Sequence, residues 1–247
     1  MCRSTQQGLM KYMGSKAKIA KHILPIILED RRPDQWYVEP FAGGMNTICK
    51  VSGKRLAADT SFHLIEMWKA IVLGWQPPGF IDRDEYSLIR QRPQDYPPHL
   101  AGWVGFNCSY SGKWFGGYAG RVKTKAGTIR DYQAEAIKNV LNQAKPLKDV
   151  VFVANDYLYL DVPPESIIYC DPPYEGTTKY DKSIDHNLFW KWVRNKTLQG
   201  NRVFVSEYKA PGDFACVWEG KVKSSLSANG RYGASKESTE KLFVYRP

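Results

Sequence analysis

The stretch QWYVEPFAGG, residues 35–44, constrains the fold more than any other part of this chain of 247 residues. An aromatic and β-branched run leads directly into a Gly-rich turn, after which a short helix is expected. A second short run, KRLAAD at 54–59, ends on an acid, Asp59. SFHLIEMWKAIVLG follows with the apolar spacing of a helix, started by Thr60 or Ser61 and stopped by Gly74. Strand, turn, helix, strand, acid is the grammar of a doubly wound α/β sheet.

The same grammar returns late in the chain. DYQAEAIKNVLNQA reads as a helix, DVVFVANDY and ESIIYCDPPY as strands, HNLFWKWVRNKTLQG as a helix closed by Gly200, NRVFVSEY as a strand and EKLFVYRP as a last strand. Near the start, KYMGSKAKIAKHILPIILEDRR reads as a Gly-Ser turn and an amphipathic helix carrying Ile19, Ile23, Ile26 and Ile27, with Pro25 interrupting its later turn. Between them, Gln76 to Asp131 breaks the pattern. QPPGFIDRDEYSLIRQRPQDYPPHL holds one short helix around Glu85 to Arg90, and AGWVGFNCSYSGKWFGGYAGRVKTKAGTIR reads as loops and short strands. The expected organisation is a sheet domain built from 1–75 and 132–247, with 76–131 inserted.

Composition narrows the class. The chain is 43% hydrophobic and 24% charged, without an apolar run of membrane-spanning length or the apolar core of a signal peptide. Cysteines at 2, 49, 108, 170 and 216 are scattered and odd in number, which points to free thiols in a reducing compartment. Histidines at 22, 63, 99 and 186 form no metal-ligand spacing with them, so no metal is expected. The expected setting is cytoplasmic, with no membrane partner and a monomeric chain. The net charge of +10 suits a polyanion, above all nucleic acid.

Part of that charge is focused. Lys113, Arg121, Lys123, Lys125 and Arg130 fall within the insertion, in a span (102–130) that holds no acid. Trp103, Phe106, Tyr110, Trp114, Phe115 and Tyr118 are interleaved with them. Cations neutralise phosphates and aromatic faces stack on bases. The alternative is a small satellite core under a basic rim, which fits Trp103 and Phe106 better than SGKWFGGYAGRVKTK.

Two motifs carry chemistry. Gly43 and Gly44 let a ligand approach the backbone before a helix N-terminus, and Asp59 suits the two hydroxyls of a ribose. In YCDPPY, Asp171 can accept hydrogen bonds from an amine. The prolines stiffen the backbone and remove two N–H groups, leaving carbonyls as acceptors, and Tyr174 offers a stacking face. Together these make a cradle for an exocyclic amine; by itself, DPPY also fits a Pro-rich strand exit with a capping Asp.

In order and nearly end to end, KYMGSK, YVEPFAGG, LAADTS, VFVANDY, YCDPPY and SANGR…EKLFVY resemble the motifs of the Dam-like DNA adenine-N6 methyltransferases (D12 class, alpha group), which use S-adenosylmethionine. The resemblance implies a Rossmann-like methyltransferase sheet with a target-recognition domain at 76–131. It also implies site-specific methylation of adenine N6 in double-stranded DNA by base flipping, in a bacterial cell or phage-infected host, within modification or restriction–modification chemistry. Carried over by position, Tyr12, Lys16, Glu39, Phe41, Gly43, Gly44, Asp59, Asp156 and Asp171 would hold the cofactor. Asp171, Pro172 and Tyr174 would form the catalytic adenine pocket. Lys11 aligns with a DNA-contacting basic position, and FNCSYSGKWFGGY resembles the family's DNA-contact stretch. That adds Asn107, Tyr110, Lys113, Trp114, Arg121, Lys123 and Lys125 as DNA-binding candidates. Met45 departs from the pattern, standing where the family keeps a second glycine. Close backbone approach is still open at Gly43 and Gly44, and the shift bears on cofactor affinity, which leaves a catalytically impaired DNA-binding paralogue as an alternative beside RNA adenine or cytosine N4 methylation.

Overall fold

The computed structural model describes residues 8–175, 184–223 and 237–247. Its strands are β1 (Tyr37–Glu39), β2 (Arg55–Asp59), β3 (Arg121–Lys123), β4 (Ile129–Asp131), β5 (Val150–Ala154), β6 (Ile167–Cys170), β7 (Arg202–Glu207), β8 (Phe214–Lys223) and β9 (Glu237–Tyr245). The helices are α1 (Ala20–Ile27), α2 (Phe62–Val72), α3 (Arg83–Gln91), α4 (Pro98–Asn107), α5 (Tyr132–Ala144) and α6 (His186–Leu198). Seven strands form the central sheet in the order β5-β2-β1-β6-β7-β9-β8, while β3 and β4 pair as a separate hairpin. β5, β2, β1, β6 and β7 run parallel, and β9 is antiparallel to both β7 and β8.

The period of two along the strands divides the core. Tyr37, Ala57, Ile167, Tyr169 and Phe204 face one side, with Ile23 and Ile27 of α1, Trp68 of α2 and Val140 of α5. Val38, Leu56, Ile168, Cys170, Val203 and Val205 face the other, against Phe189, Trp190, Trp192 and Val193 of α6. A parallel sheet covered on both faces reads as short continuous apolar runs, which is how VFVSE and SIIYC read. Pro25 lies inside α1, and the helix stays eight residues long.

The insertion departs from the sequence expectation. Residues 101–107, expected as loop or short strand, lie in helix α4. Ala101 to Asn107 are all buried, so no exposed stripe existed to produce a helical period. Its glycines serve close packing: a Cβ on Gly102 would strike the His63 carbonyl of α2, and one on Gly105 would strike the Trp114 ring. The segment shares the sheet's own core, since Ile81, Tyr86, Ile89, Trp103 and Phe106 join the same cluster as Tyr37 and Trp68. The short helix expected at 85–90 is present as α3, capped by the Asp82 side chain, and the expected short strands are β3 and β4. The short helix expected after Gly44 is only a single turn, Ile48–Lys50. β8 was not expected; it is an edge strand whose pairing with β9 shifts register between Cys216 and Trp218, which blurs its alternation.

Candidate active site

From β1 the chain passes to β2 and then β5 on one side, whereas β6 returns beside β1 and leads to β7 on the other. The crevice outside the carboxyl ends of β1 and β6 is therefore the topological switch point, where open α/β sheets bind ligands. Acids converge on that edge: Glu39 closes β1, Asp59 closes β2, Glu207 closes β7 and Asp171 follows β6.

The glycine turn is a built loop. The Gly43 N–H donates to Asp59 Oδ2 at 2.9 Å and the Ser61 N–H donates to Oδ1 at 2.9 Å, so Asp59 ties the turn to the start of α2. Burial raises the Asp59 pKa, and these two N–H donors oppose the rise. Gly43 has φ +48°, and a Cβ there would stand 2.6 Å from the Tyr12 ring; one on Gly44 would stand 2.6 Å from Tyr12 Cβ. Only glycines let Tyr12 lie on the loop. Met45 also has a left-handed backbone, φ +58°, yet its side chain is fully buried in the core. The residue that departs from the family pattern thus turns inward, away from the loop's open face. Asn46 and Gln143 brace the loop from behind. Gln143 Nε2 donates to the Gly44 carbonyl at 2.8 Å, its Oε1 accepts from the Met10 N–H at 2.7 Å, and Asn46 Nδ2 donates to Ser15 Oγ at 2.7 Å.

Phe41 packs against Tyr157 and Phe189, with ring centroids 5.2 and 5.8 Å apart. Asp156, just beyond β5, accepts from the Leu158 N–H at 2.9 Å. Glu39 is buried and accepts the Tyr37 hydroxyl at 2.7 Å. Burial pushes its pKa up to about 8; the Tyr37 hydrogen bond opposes this and the nearby Asp171 adds to it.

At the end of β6, Asp171 Oδ1 pairs with the Lys16 ammonium at 2.9 Å. Burial lifts Asp171 to about 6, and Lys16 holds it from rising further. The same ammonium stands 4.4 Å from the Tyr174 ring centroid and 3.7 Å from Glu240 Oε2 on β9. The Tyr174 hydroxyl donates to that Glu240 oxygen at 2.7 Å. Pro172 is buried beside them. Glu207 accepts the N–H groups of Glu175 and Tyr208, at 3.2 and 2.7 Å, fastening the segment after the prolines to β7. Burial raises Glu207 to about 7 against those two donors. Glu207 and Glu240 were absent from the sequence expectation. An acid closing VFVSE, as Glu39 and Asp59 close their strands, was a readable signal for the first; nothing local marked the second.

Of the residues expected on DNA, Lys11, Asn107 and Tyr110 meet around a cavity of about 50 Å³ that Tyr132 also lines. Lys11 lies 4.9 Å over the Tyr132 ring and 3.5 Å from Glu135. Asn107 is buried, its amide against Met67 Sδ at 3.2 Å. Trp114 is half-buried, stacked on His63 at 5.1 Å and tilted against Phe106 at 5.0 Å. Lys113, Arg121, Lys123 and Lys125 are exposed, with Arg121 paired to Asp131 at 2.8 Å. The motif portion SANGR at 227–231 lies outside the described residues. Among the described residues no cluster of His, Cys, Asp or Glu could hold a metal ion, and no helix is long and apolar enough to cross a membrane.

With this geometry in hand, the family comparison falls on one half of the site. Residues 12–92 match the model of the D12 class N6 adenine-specific DNA methyltransferases. The matched segment contains Tyr12, Lys16, Glu39, Phe41, Gly43, Gly44 and Asp59, while Asp171 and Tyr174 reach the same crevice from beyond it. Among solved structures, the chain is similar to SMU.472, assigned as a methyltransferase and complexed with SAH. Identity is 12% and the TM-score 0.38, over 94% of this chain and 52% of that one. The chain thus spans about half the length of that relative. No curated protein matches at significant similarity. The strand order defines the fold without help from that likeness.

Proposed function

We propose that the protein is an S-adenosylmethionine-dependent DNA methyltransferase acting on the N6 amine of adenine. The observation that carries this reading is the meeting of Asp171, Pro172 and Tyr174 with the Gly43–Gly44 loop at the switch point. The D12-class match over residues 12–92 supports the same chemistry.

The residues present fit the cofactor. The loop has no side chains at 43 and 44, so its backbone is open to close approach. Each Asp59 oxygen accepts one N–H and keeps acceptor capacity for a ribose hydroxyl. Phe41 is the apolar wall beside the loop, Glu39 lies at its base, and Tyr12, Lys16 and Asp156 border it. When bound, S-adenosylmethionine supplies the electrophilic methyl group.

The protein's own work is positioning and electrostatics. The target base leaves the duplex because its N6 is otherwise paired and stacked. Asp171 and the Pro172 carbonyl accept hydrogen bonds from the N6 amine and aim the nitrogen lone pair, and Tyr174 stacks on the ring. Cys170 is buried in β6 with its thiol pKa pushed up by burial, so it supplies no thiolate for attack on a ring carbon. Exposed Lys113, Lys123 and Lys125 with Arg121 face the phosphates of double-stranded DNA, and Lys11, Asn107 and Tyr110 border the duplex-facing cavity. Residues 76–131 thereby serve as the target-recognition part, and 1–75 with 132–247 as the catalytic part. Asp171→Ala is the test: transfer of labelled methyl groups to mixed-sequence DNA should fall by about 10³-fold, the scale of losing a group aimed at the reacting centre. Near-normal turnover sinks the assignment.

A further inference from the structure

Resting on that reading, the structure assigns Glu240 as a positioning residue: a second carboxylate that takes the Lys16 ammonium when the target amine claims Asp171. Three observations lead there. The Lys16 ammonium occupies both places that the base needs, since it pairs with Asp171 at 2.9 Å and lies 4.4 Å over the Tyr174 ring. A base cannot stack on Tyr174 and donate its amine to Asp171 while that ammonium stays. Lys16 is also confined, only 9% of its side chain being exposed, so retreat into water is closed to it. Glu240 stands 3.7 Å from the same ammonium, and its side chain is itself only 12% exposed. A displacement of about one ångström converts that separation into a direct charge-assisted hydrogen bond.

Base capture then becomes an exchange on Asp171, amine for ammonium, in which the confined ammonium keeps a carboxylate partner and Asp171 keeps a hydrogen-bond donor. The arrangement avoids the large penalty of a buried ammonium without a counter-ion. Glu240 also holds the Tyr174 hydroxyl at 2.7 Å, which fixes the stacking face while the ammonium moves. It lies on β9, antiparallel to the strands that carry the rest of the site. A glutamine at 240 keeps an acceptor for Tyr174 and loses the charge.

The experiment compares single-turnover methyl transfer, at saturating cofactor and DNA and pH 8, for the intact protein, Glu240→Gln, Glu240→Asp and the double variant Lys16→Met/Glu240→Gln. Fluorescence of 2-aminopurine at the target position reports base capture in parallel. Glu240→Gln should lower both by about tenfold or more, which corresponds to ~1.4 kcal/mol, with cofactor affinity unchanged. Glu240→Asp should stay within about threefold of the intact protein, and the double variant should recover at least about threefold over Glu240→Gln because the competing ammonium is gone. A Glu240→Gln rate near that of the intact protein overturns the inference. So does a loss that the double variant fails to relieve, or a soluble Glu240→Asp as impaired as the glutamine variant. Should the intact protein transfer no methyl group at all, the reading beneath falls and this inference with it.

Discussion

The mouth of the sheet and the inserted segment are both rich in glycine, aromatics and charge, and they use them in opposite ways. At the mouth the charges go inside. Lys16, Glu39 and Glu207 are buried and Glu240 nearly so, each with a named partner, and glycine opens a loop. In the insertion the aromatics go inside. Trp103, Phe106 and Phe115 are buried, Lys113, Lys123 and Lys125 are exposed, and glycine lets helices approach. Composition alone cannot separate these two uses. A buried charge with a partner marks chemistry, and a buried aromatic over a glycine marks packing.

This contrast can be broken experimentally, the largest effect being the ~10³-fold loss at Asp171 already described. Next is Trp114→Ala. Its ring lies over Gly105 between His63 and Phe106, so removal should cost about 3 kcal/mol in denaturant unfolding and leave transfer by folded protein within about threefold. A selective loss of transfer with unchanged stability would instead make Trp114 a base-stacking residue. Then comes pH. Folded Glu39 and Glu207 keep a proton up to about pH 8 and about pH 7, whereas the ordinary glutamate value is 4.5. Asp171 behaves alike between 3.8 and about 6. Within those windows the folded state binds more protons than the unfolded chain, so stability falls as pH rises. Melting temperature should drop by several degrees from pH 5 to pH 8, and Glu39→Gln should flatten the upper part of that decline. Transfer should run the other way, weakening as pH falls through about 6 and Asp171 gains its proton. The smallest effect belongs to Lys123→Ala/Lys125→Ala. Stability should hold within about 0.5 kcal/mol, and the slope of log affinity for DNA against log salt should shallow by about 2.

How much was legible follows from what each element buries. β1, β2, β6 and β7 could be read because both faces of each are covered, and their ends because acids close them. α4 could not, since a helix buried all round has no polar face. The pairing of Lys16 with Asp171 could not either: one residue precedes α1 and the other follows β6, so their side chains meet only through the tertiary fold, which no local spacing encodes. Gly43 and Asp59 were legible as separate features, but the hydrogen bond joining them was not. At Met45 the departure from the family's glycine pattern meets a side chain that fills the core. Replacing it with the family's glycine should relieve the left-handed backbone and lose more in packing, for a net cost of about 2 kcal/mol.

Lys16 and Glu240 lie more than two hundred residues apart along the chain, yet they share one ion pair network. On a ribosome adding about 5–20 residues per second, the first is made roughly ten to forty seconds before the second. During that interval Lys16 has no Asp171 to pair with until β6 emerges, and the Tyr174 hydroxyl has no Glu240 to donate to until β9 does. The pocket is consequently among the last things the nascent chain can finish, and its completion reports that the whole sheet has been laid down.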